Sequence, residues 1–294
     1  LLSGLCTAFE KQQPGLRIYL RRADAQELYT PDAVLPDVVL HGQGEIASPE
    51  GALLPMTAPD GYPEGVLWSG SYQGQLLAVP LWYSPNVLCL PGEWFAAGAK
   101  QPSAAGGSYF QLATPAPDHG EQPVTLQSVP WRRLAEGGVV YADSAIALPQ
   151  LLLVCPTAVR DQLAGCRASM EPPPPEAAVI RSLQSHQAAG DGRVALPLPT
   201  VTSLRVRYAS LCRHGEDAAA FVRFLATAAR AAGEHGLAHA NGLTDTVDGL
   251  LQDTLSLAQG GLLLPNAFTA GAAHICLEDF AAGADPVATL LKLR

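Results

Sequence analysis

Hydrophobic positions recur along this chain with two different periods. In residues 1–13, Leu1, Leu2, Leu5, Cys6 and Phe9 fall three and four apart, which predicts an amphipathic helix ended by Pro14-Gly15. Residues 16–20 then predict a strand with Ile18 and Leu20 inward. Residues 21–36 are polar and irregular, and the apolar run 38–40 after Pro36-Asp37 predicts a buried strand. The glycine-rich stretch 41–55 reads as loop. Strands are predicted at 76–80 and 87–90, joined by a connector at 81–86, with one helical turn at 94–98.

Further along, strands are predicted at 139–141, 151–154, 194–198 and 205–211, and helices at 177–189, 216–232, 245–259, 269–281 and from Asp285-Pro286 onward. The helix at 216–232 has the clearest pattern. Glu216 and Asp217 suit its positive N-terminal end, Phe221, Phe224, Leu225 and Ala228 share a face, and Gly233 ends it. Residues 100–124 are low in complexity and read as loop, and Pro172 to Pro175 form a stiff extended spacer. Short strands alternating with helices predict an α/β protein.

Composition narrows the classes. A chain of 294 residues suits two lobes of about 100–200 residues each. With 48% hydrophobic and only 15% charged residues, it reads as packed rather than disordered. The net charge is −9, and no Lys/Arg run exceeds two (Arg21-Arg22, Arg132-Arg133), so neither nucleic acid nor an anionic membrane has an electrostatic footprint. The most apolar stretches, 145–159 and 260–277, are broken by Pro149, Gln150, Pro156, Pro265, Asn266 and His274, so neither reads as a membrane span. Because Leu1 opens directly into a helical pattern, no signal peptide is expected in the opening residues. The six cysteines are widely spaced, lack C-x-x-C and mostly have apolar neighbours, so they read as small buried hydrophobes, with disulfides as the alternative.

No motif assigns covalent chemistry. Gly42-Gln43-Gly44-Glu45-Ile46-Ala47 fits a dinucleotide loop, but Ser48-Pro49-Glu50-Gly51 follows where a helix would have to hold the pyrophosphate. Gly70-Ser71-Tyr72-Gln73-Gly74 has the wrong spacing for a nucleophile elbow, although a Ser-His-Asp set built from distant segments stays open. His235 and His239 have the spacing of a helical metal pair, but Gly233 and Gly236 oppose a helix there. The chain therefore reads as a non-enzyme without cofactor or metal. The conspicuous side chains are Trp68, Tyr72, Trp82, Tyr83 and Trp94, clustered in loops and at strand ends where they can line a ligand site.

The order of segments carries a resemblance. Ala8-Phe9-Glu10-Lys11-Gln12-Gln13-Pro14-Gly15-Leu16-Arg17-Ile18 resembles the A-F-E-K-x-x-P-G-I-x-V run of extracellular solute-binding proteins of ABC importers. Pro36-Asp37-Val38-Val39-Leu40 is similar to the P-D-V-V signature of that family, and Gly51-Ala52-Leu53-Leu54-Pro55-Met56 to its G-x-L-x-P-L turn. Tyr62-Pro63, Trp68, Tyr72 and Gly74-Gln75-Leu76-Leu77-Ala78-Val79-Pro80 resemble its Y-P…W…Y-x-G-K-x-Y-A-V-P stretch. Val87-Leu88-Cys89-Leu90 matches its crossing strand, with Pro91-Gly92 in place of the usual Asn. Val194 to Pro199, Ala218 to Leu225 and Leu264-Pro265-Asn266-Ala267-Phe268 resemble later segments, the last one in maltose-binding-like members. The match covers about 1–98 and 194–294.

That resemblance implies a type II periplasmic-binding-protein-like fold: two α/β lobes with a hinge between them. Residues 1–84 plus 203–243 would form the first lobe, and 85–202 plus 244–294 the second. A strand is implied ahead of Leu1, and a lipid-anchored Cys further upstream in members from Gram-positive bacteria. The implied function is capture of a small solute, a sugar favoured, by a monomer that docks on an ABC permease. Its place would be extracellular, periplasmic or lipid-anchored at the outer face of a bacterial membrane. Position in the implied fold gives the ligand-binding candidates His41, Gln43, Glu45, Trp68, Tyr72, Trp82, Tyr83 and Ser84, with Phe268 from the second lobe. These include no Arg or Lys, which argues against an anion as ligand. The alternatives are a peptide, polyamine or anion as solute, a degenerate member that binds a protein partner, and, less favoured, a hydrolase.

Overall fold

A computed structural model describes residues 1–32, 34–95, 126–143, 147–198, 201–202, 205–228, 237–240, 262–269, 279, 282, 284–285 and 288. Its helices are α1 Leu2–Gln12, α2 Glu64–Leu67, α3 Trp131–Glu136, α4 Ala147–Val154, α5 Thr157–Ala164, α6 Leu183–Ala189 and α7 Glu216–Thr227. In chain order the strands are β1 Val38–Gly42, β2 Ser71–Tyr72, β3 Gln75–Leu76, β4 Val79–Tyr83, β5 Asn86–Leu90, β6 Val139–Ala142 and β7 Arg167–Ser169. They continue with β8 Val179–Ser182, β9 Val194–Pro197, β10 Val201–Thr202, β11 Val206–Leu211, β12 Ala238–His239 and β13 Leu262–Leu263.

Two sheets organise these elements. The first has the order β1-β11-β4-β12 with antiparallel pairs throughout. The second has the order β7-β6-β8-β5-β9, in which β7, β6 and β8 run parallel and β5 runs antiparallel to both neighbours. The chain steps from β4 to β5 through Ser84-Pro85 alone, so the Tyr83 end of the first sheet meets the Asn86 end of the second. The step is stitched on both sides. The Ser84 N–H donates to the Arg205 carbonyl (3.3 Å), its buried hydroxyl accepts the Gln184 N–H (2.9 Å), and the Pro85 carbonyl accepts the Leu183 N–H (2.8 Å).

Three clusters fill the space around the sheets. Helices α1 and α7 cover one face of the first sheet, where Phe9 meets Phe221 and Phe224 with both ring centroids 5.2 Å away. A second cluster packs α3, α4 and α5 against Leu88, Leu90, Val140, Ile180 and Leu196 of the second sheet. The third joins the two sheets: Tyr83, Val87, Cys89 and Val179 pack in one group with Ile46, Leu77, Tyr208 and Phe268. Cys6, Cys89, Cys155, Cys166 and Cys212 are buried free thiols, in keeping with the hydrophobe reading, while Cys276 lies outside the described residues. No described helix is long and apolar enough to cross a membrane.

Several sequence expectations need correction. Residues 16–20 join no ladder: the Ile18 N–H donates to Glu10 Oε1 (2.7 Å) instead, and Leu20 is 52% exposed rather than inward. The apolar run 151–154 belongs to helix α4, because a short apolar run has no decisive period and leucine is a strong helix former. The expected helix 177–189 divides into β8 and α6. Val179 and Ile180 suit a strand, and Ser182 then caps α6 by accepting the Ser185 N–H (3.2 Å). Helices α3 and α5 were not anticipated, and each begins directly after a proline, Pro130 or Pro156. The expected connector 81–86 shrinks to two residues because β4 and β5 extend into it. The expected helices at 245–259, 269–281 and from Asp285 fall outside the described residues except for isolated positions.

One close approach is set by glycine. The Gly70 carbonyl accepts the N–H groups of Leu77 and Ala78, and a Cβ on Gly70 would lie 1.7 Å from the Ala78 carbonyl oxygen. Backbone cannot yield that distance without breaking both bonds. We expect Gly70→Ala to abolish cooperative thermal unfolding, whereas Gly65→Ala, with nothing within 4 Å of the added methyl, should melt as the wild type does or slightly higher.

Candidate functional site

The first-sheet end that faces the second sheet is defined by register: Gly42 of β1, Arg207 of β11 and Trp82 of β4 stand side by side. The loop after β1 is built around Glu45. Its Oε2 accepts the Gly42 N–H (2.7 Å), and its Oε1 lies 3.4 Å from Arg207 Nη1. A Cβ on Gly42 would fall 2.7 Å from Glu45 Oε1 and 3.1 Å from Arg207 Nη1, so glycine makes room for this pair. Both side chains remain more than half exposed, at 53% and 58%. They are oriented but open to solvent.

Residues 264–269 close over the same loop. The Gly44 N–H donates to the Ala267 carbonyl (2.8 Å), the Ala267 N–H to the Ser69 carbonyl (2.6 Å), and the Asn266 side chain to the Ser71 carbonyl (2.9 Å). The Gln43 amide donates to the carbonyls of Asn266 and Thr269. Phe268 stacks on His41 (6.2 Å between centroids) and meets Tyr72 edge to face (5.8 Å), while His41 stacks on Tyr208 (5.6 Å). Phe268 thus packs its ring on His41 of β1. Half-exposed Trp68 lies beside this segment, next to Ser69.

The nine candidates therefore divide. Glu45, Gln43, Tyr72 and Trp68 form the accessible rim. His41 and Phe268 are buried directly behind it. Tyr83 and Ser84 are buried in the crossing, where Ser84 holds α6. Trp82 is in the core beneath α1 and α7. A register shift in β4 opposite the Arg207–Tyr208 step is the physical reason: one extra residue turns Trp82 to the helix-covered face and Tyr83 to the other. Among the described residues, the Trp82 indole N–H has no hydrogen-bond partner.

Sequence reading missed Arg207, Arg205 and Asp143. Arg207 was visible only as the outward position between Val206 and Tyr208, and the antiparallel register alone brings it to Glu45. Arg205 Nη2 lies 3.4 Å from Asp143 Oδ2, across the step between the sheets. Arg205 and Arg207 bring two guanidinium groups to this edge beside the nine candidates, which include no Arg or Lys.

Two pairs have the make-up of nucleophile and base, and burial disarms both. Ser210 Oγ lies 3.0 Å from His41 Nε2, and His41 Nδ1 lies 3.0 Å from the Gly42 carbonyl. The carbonyl can only accept, so Nδ1 carries the proton and Nε2 accepts from the serine. Ser210 is 0% and His41 2% exposed, which leaves a substrate no access. Cys89 Sγ lies 3.4 Å from His186 Nδ1, but burial pushes this thiol up to about 12 and keeps it protonated. No group of three or more His, Cys, Asp or Glu among the described residues could hold a metal ion.

Two cavities stand out. A small one, about 60 Å³, lies against the rim between residues 21–28 and His41, Glu45 and Ile46. A larger one, about 300 Å³, lies at the end of the second sheet remote from the crossing, lined by Trp94, Arg133, Tyr141, Glu176 and apolar neighbours. Its main charge is engaged: the Arg133 guanidinium sits 4.7 Å from the Trp94 ring centre and 3.8 Å from Glu93.

No family model and no curated protein matches the chain. Solved structures do. UgpB from Mycobacterium tuberculosis in complex with glycerophosphocholine is 15% identical, with a TM-score of 0.58 over 99% of this chain and 92% of that one. The ABC substrate-binding protein Lmo0181 from Listeria monocytogenes in complex with cycloalternan is 12% identical, with a TM-score of 0.53 over 99% of this chain and 93% of that one. The chain has the two-lobed α/β fold of substrate-binding proteins.

Two outcomes follow from these placements. Trp82→Phe removes an unpaired buried donor and should change stability by under about 1.5 kcal/mol, whereas Trp82→Ala should lose about 3–5 kcal/mol in urea unfolding. Burial lowers the His41 pKa below its usual 6.5, so the unfolded chain binds the extra proton more readily than the folded one. This contribution is complete above pH 6.5 and is lost progressively as pH falls below that value through the lower folded-state pKa. Melting temperature should therefore drop between about pH 7.5 and about pH 5.5, and drop less in His41→Asn, as scanning calorimetry would record.

Proposed function

We propose that this protein is the solute-capturing component of an ABC importer, working as a monomer outside the cytoplasmic membrane and delivering its ligand to a permease. The rim carries the reading: a carboxylate and a guanidinium, Glu45 and Arg207, are held open at the sheet end facing the second lobe, beside the aromatic faces of Tyr72 and Trp68. Aromatic faces suit the apolar face of a sugar, and fixed charged groups suit its hydroxyls. A carbohydrate is accordingly the favoured solute. The lobes would divide at Ser84-Pro85 and near 200–205, with closure driven because the solute touches both lobes only when they are shut. The fold shared with Lmo0181 and UgpB, whose complexes hold cycloalternan and glycerophosphocholine, supports the same reading.

A second reading has its own observation. Arg207 and Arg205 are 58% and 47% exposed at the edge between the sheets, where an anionic group on a solute could reach them. A solute that joins hydroxyls to a phosphate or carboxylate would use both kinds of group.

Melting temperature measured against mono- and oligosaccharides, glycerophosphodiesters, sugar phosphates, polyamines, peptides and simple anions tests both. A ligand at about 100 times its dissociation constant adds about 2.7 kcal/mol of stability, which should raise the melting point by at least about 2 °C. We expect a shift with neutral sugars that Glu45→Gln and Gly42→Ala weaken. A shift confined to phosphorylated solutes and lost in Arg207→Gln would establish the second reading. No shift with any class would overturn both in favour of a protein-binding role.

A further inference from the structure

The second sheet comes apart at the end remote from the crossing. β6 and β8 pair only through Tyr141–Val179 and Ala142–Ile180. Asp143 extends that ladder by donating to the Ile180 carbonyl (3.0 Å). In a parallel ladder alternate residues turn their N–H and C=O to the same neighbour, so Tyr141 and Val139 face β8 as Asp143 does. The next rung, between Val139 and Ala178, is missing. Further back the chain has Pro174 and Pro175, which have no N–H to offer a rung.

A buried cation fixes the segment ahead of β8 in this position. Arg193, just ahead of β9, donates to the carbonyls of Pro174 (2.8 Å), Pro175 (3.3 Å) and Ala177 (3.3 Å). Its guanidinium also pairs with Asp191, which Arg181 of β8 shares at 2.7 Å. These bonds belong to the protein alone, so the gap beside β6 is a preformed cavity of about 300 Å³. Leu88, Leu134, Val140 and Ile180 give it apolar walls, and Trp94 stands at its side. The missing rung leaves backbone groups of Val139 and Ala178 along its edge. Arg133, also on the cavity, is already shared between the Trp94 ring (4.7 Å) and Glu93 (3.8 Å), and Glu176 adds a second carboxylate.

We infer that this cavity is a second ligand site, for a small neutral molecule that joins an apolar ring to a hydrogen-bonding head such as an amide or a hydroxyl. The ring packs on the apolar walls. The head supplies the missing rung: its oxygen accepts the Ala178 N–H, and its own N–H or O–H donates to the Val139 carbonyl. Backbone groups without a protein partner favour a ligand that can pair with them over one that cannot. A carboxylate head would meet Glu93 and Glu176 instead. The volume is in the range of small-molecule pockets and suits one or two rings. Glu45 and Arg207 stand at the first-sheet end that faces the crossing, so this site is separate from the solute rim and does not depend on the reading of it.

Saturation-transfer NMR on the whole chain tests this, with benzamide, phenol, toluene and benzoate as probes. We expect benzamide and phenol to bind about tenfold more tightly than toluene, and benzoate to bind more weakly than benzamide. Ala178→Leu fills the cavity and should weaken benzamide at least about tenfold. Ala178→Cys adds little volume and answers the question even if Ala178→Leu fails to fold. Benzamide should slow alkylation of the introduced thiol by iodoacetamide, read on the peptide that carries position 178. No transfer from any probe, unchanged affinity in Ala178→Leu, or a thiol that benzamide does not protect would overturn the site. Toluene binding as tightly as benzamide would overturn the hydrogen-bonded head.

Discussion

The two-residue step from β4 to β5 is the constraint on which the rest of the molecule depends. Ser84 is fully buried there, and it serves both sides: its N–H is held by the carbonyl before β11, and its hydroxyl holds the start of α6. A connection this short leaves the two sheets no freedom to drift apart at that point. It also fixes which ends of the sheets face each other, and so which loops can share a ligand.

What those loops present is set by small backbone decisions. One extra residue in β4 sends Trp82 beneath the helices and Tyr83 into the shared core, removing both from the rim. One missing side chain, at Gly42, lets Glu45 turn back onto its own strand and face Arg207. The stitching of 264–269 to the same loop then buries Phe268 and His41 and leaves Tyr72, Trp68 and the ion pair toward solvent. The two pairs that could have supported covalent chemistry, Ser210 with His41 and Cys89 with His186, are closed off by the core that forms them.

An apolar cluster spans both sheets and packs Tyr83, Val87, Cys89 and Val179 with Ile46, Tyr208 and Phe268. Among the described residues, the Arg205–Asp143 ion pair links the two sheets with a charged, salt-sensitive contact beside this cluster.

Much of this was legible in the sequence. The periodic pattern located α1, α7, β1, β5 and β9, because each buries one face or lies wholly in the core and must repeat accordingly. The order of short signatures pointed to two lobes, and the end of β1 and the loop after it were marked by His41, Gln43 and Glu45. The sequence could not decide matters that depend on partners distant in the chain. Residues 16–20 look like a strand, yet a carboxylate from α1 takes the Ile18 N–H in place of a neighbouring strand. The run 151–154 is apolar enough for either structure, and its environment made it helix. Arg207 and Asp143 carry no local signal at all. Only register and the apposition of two sheets bring them to Glu45 and Arg205, because hydrogen-bonded pairing, unlike periodicity, is a property of two segments at once.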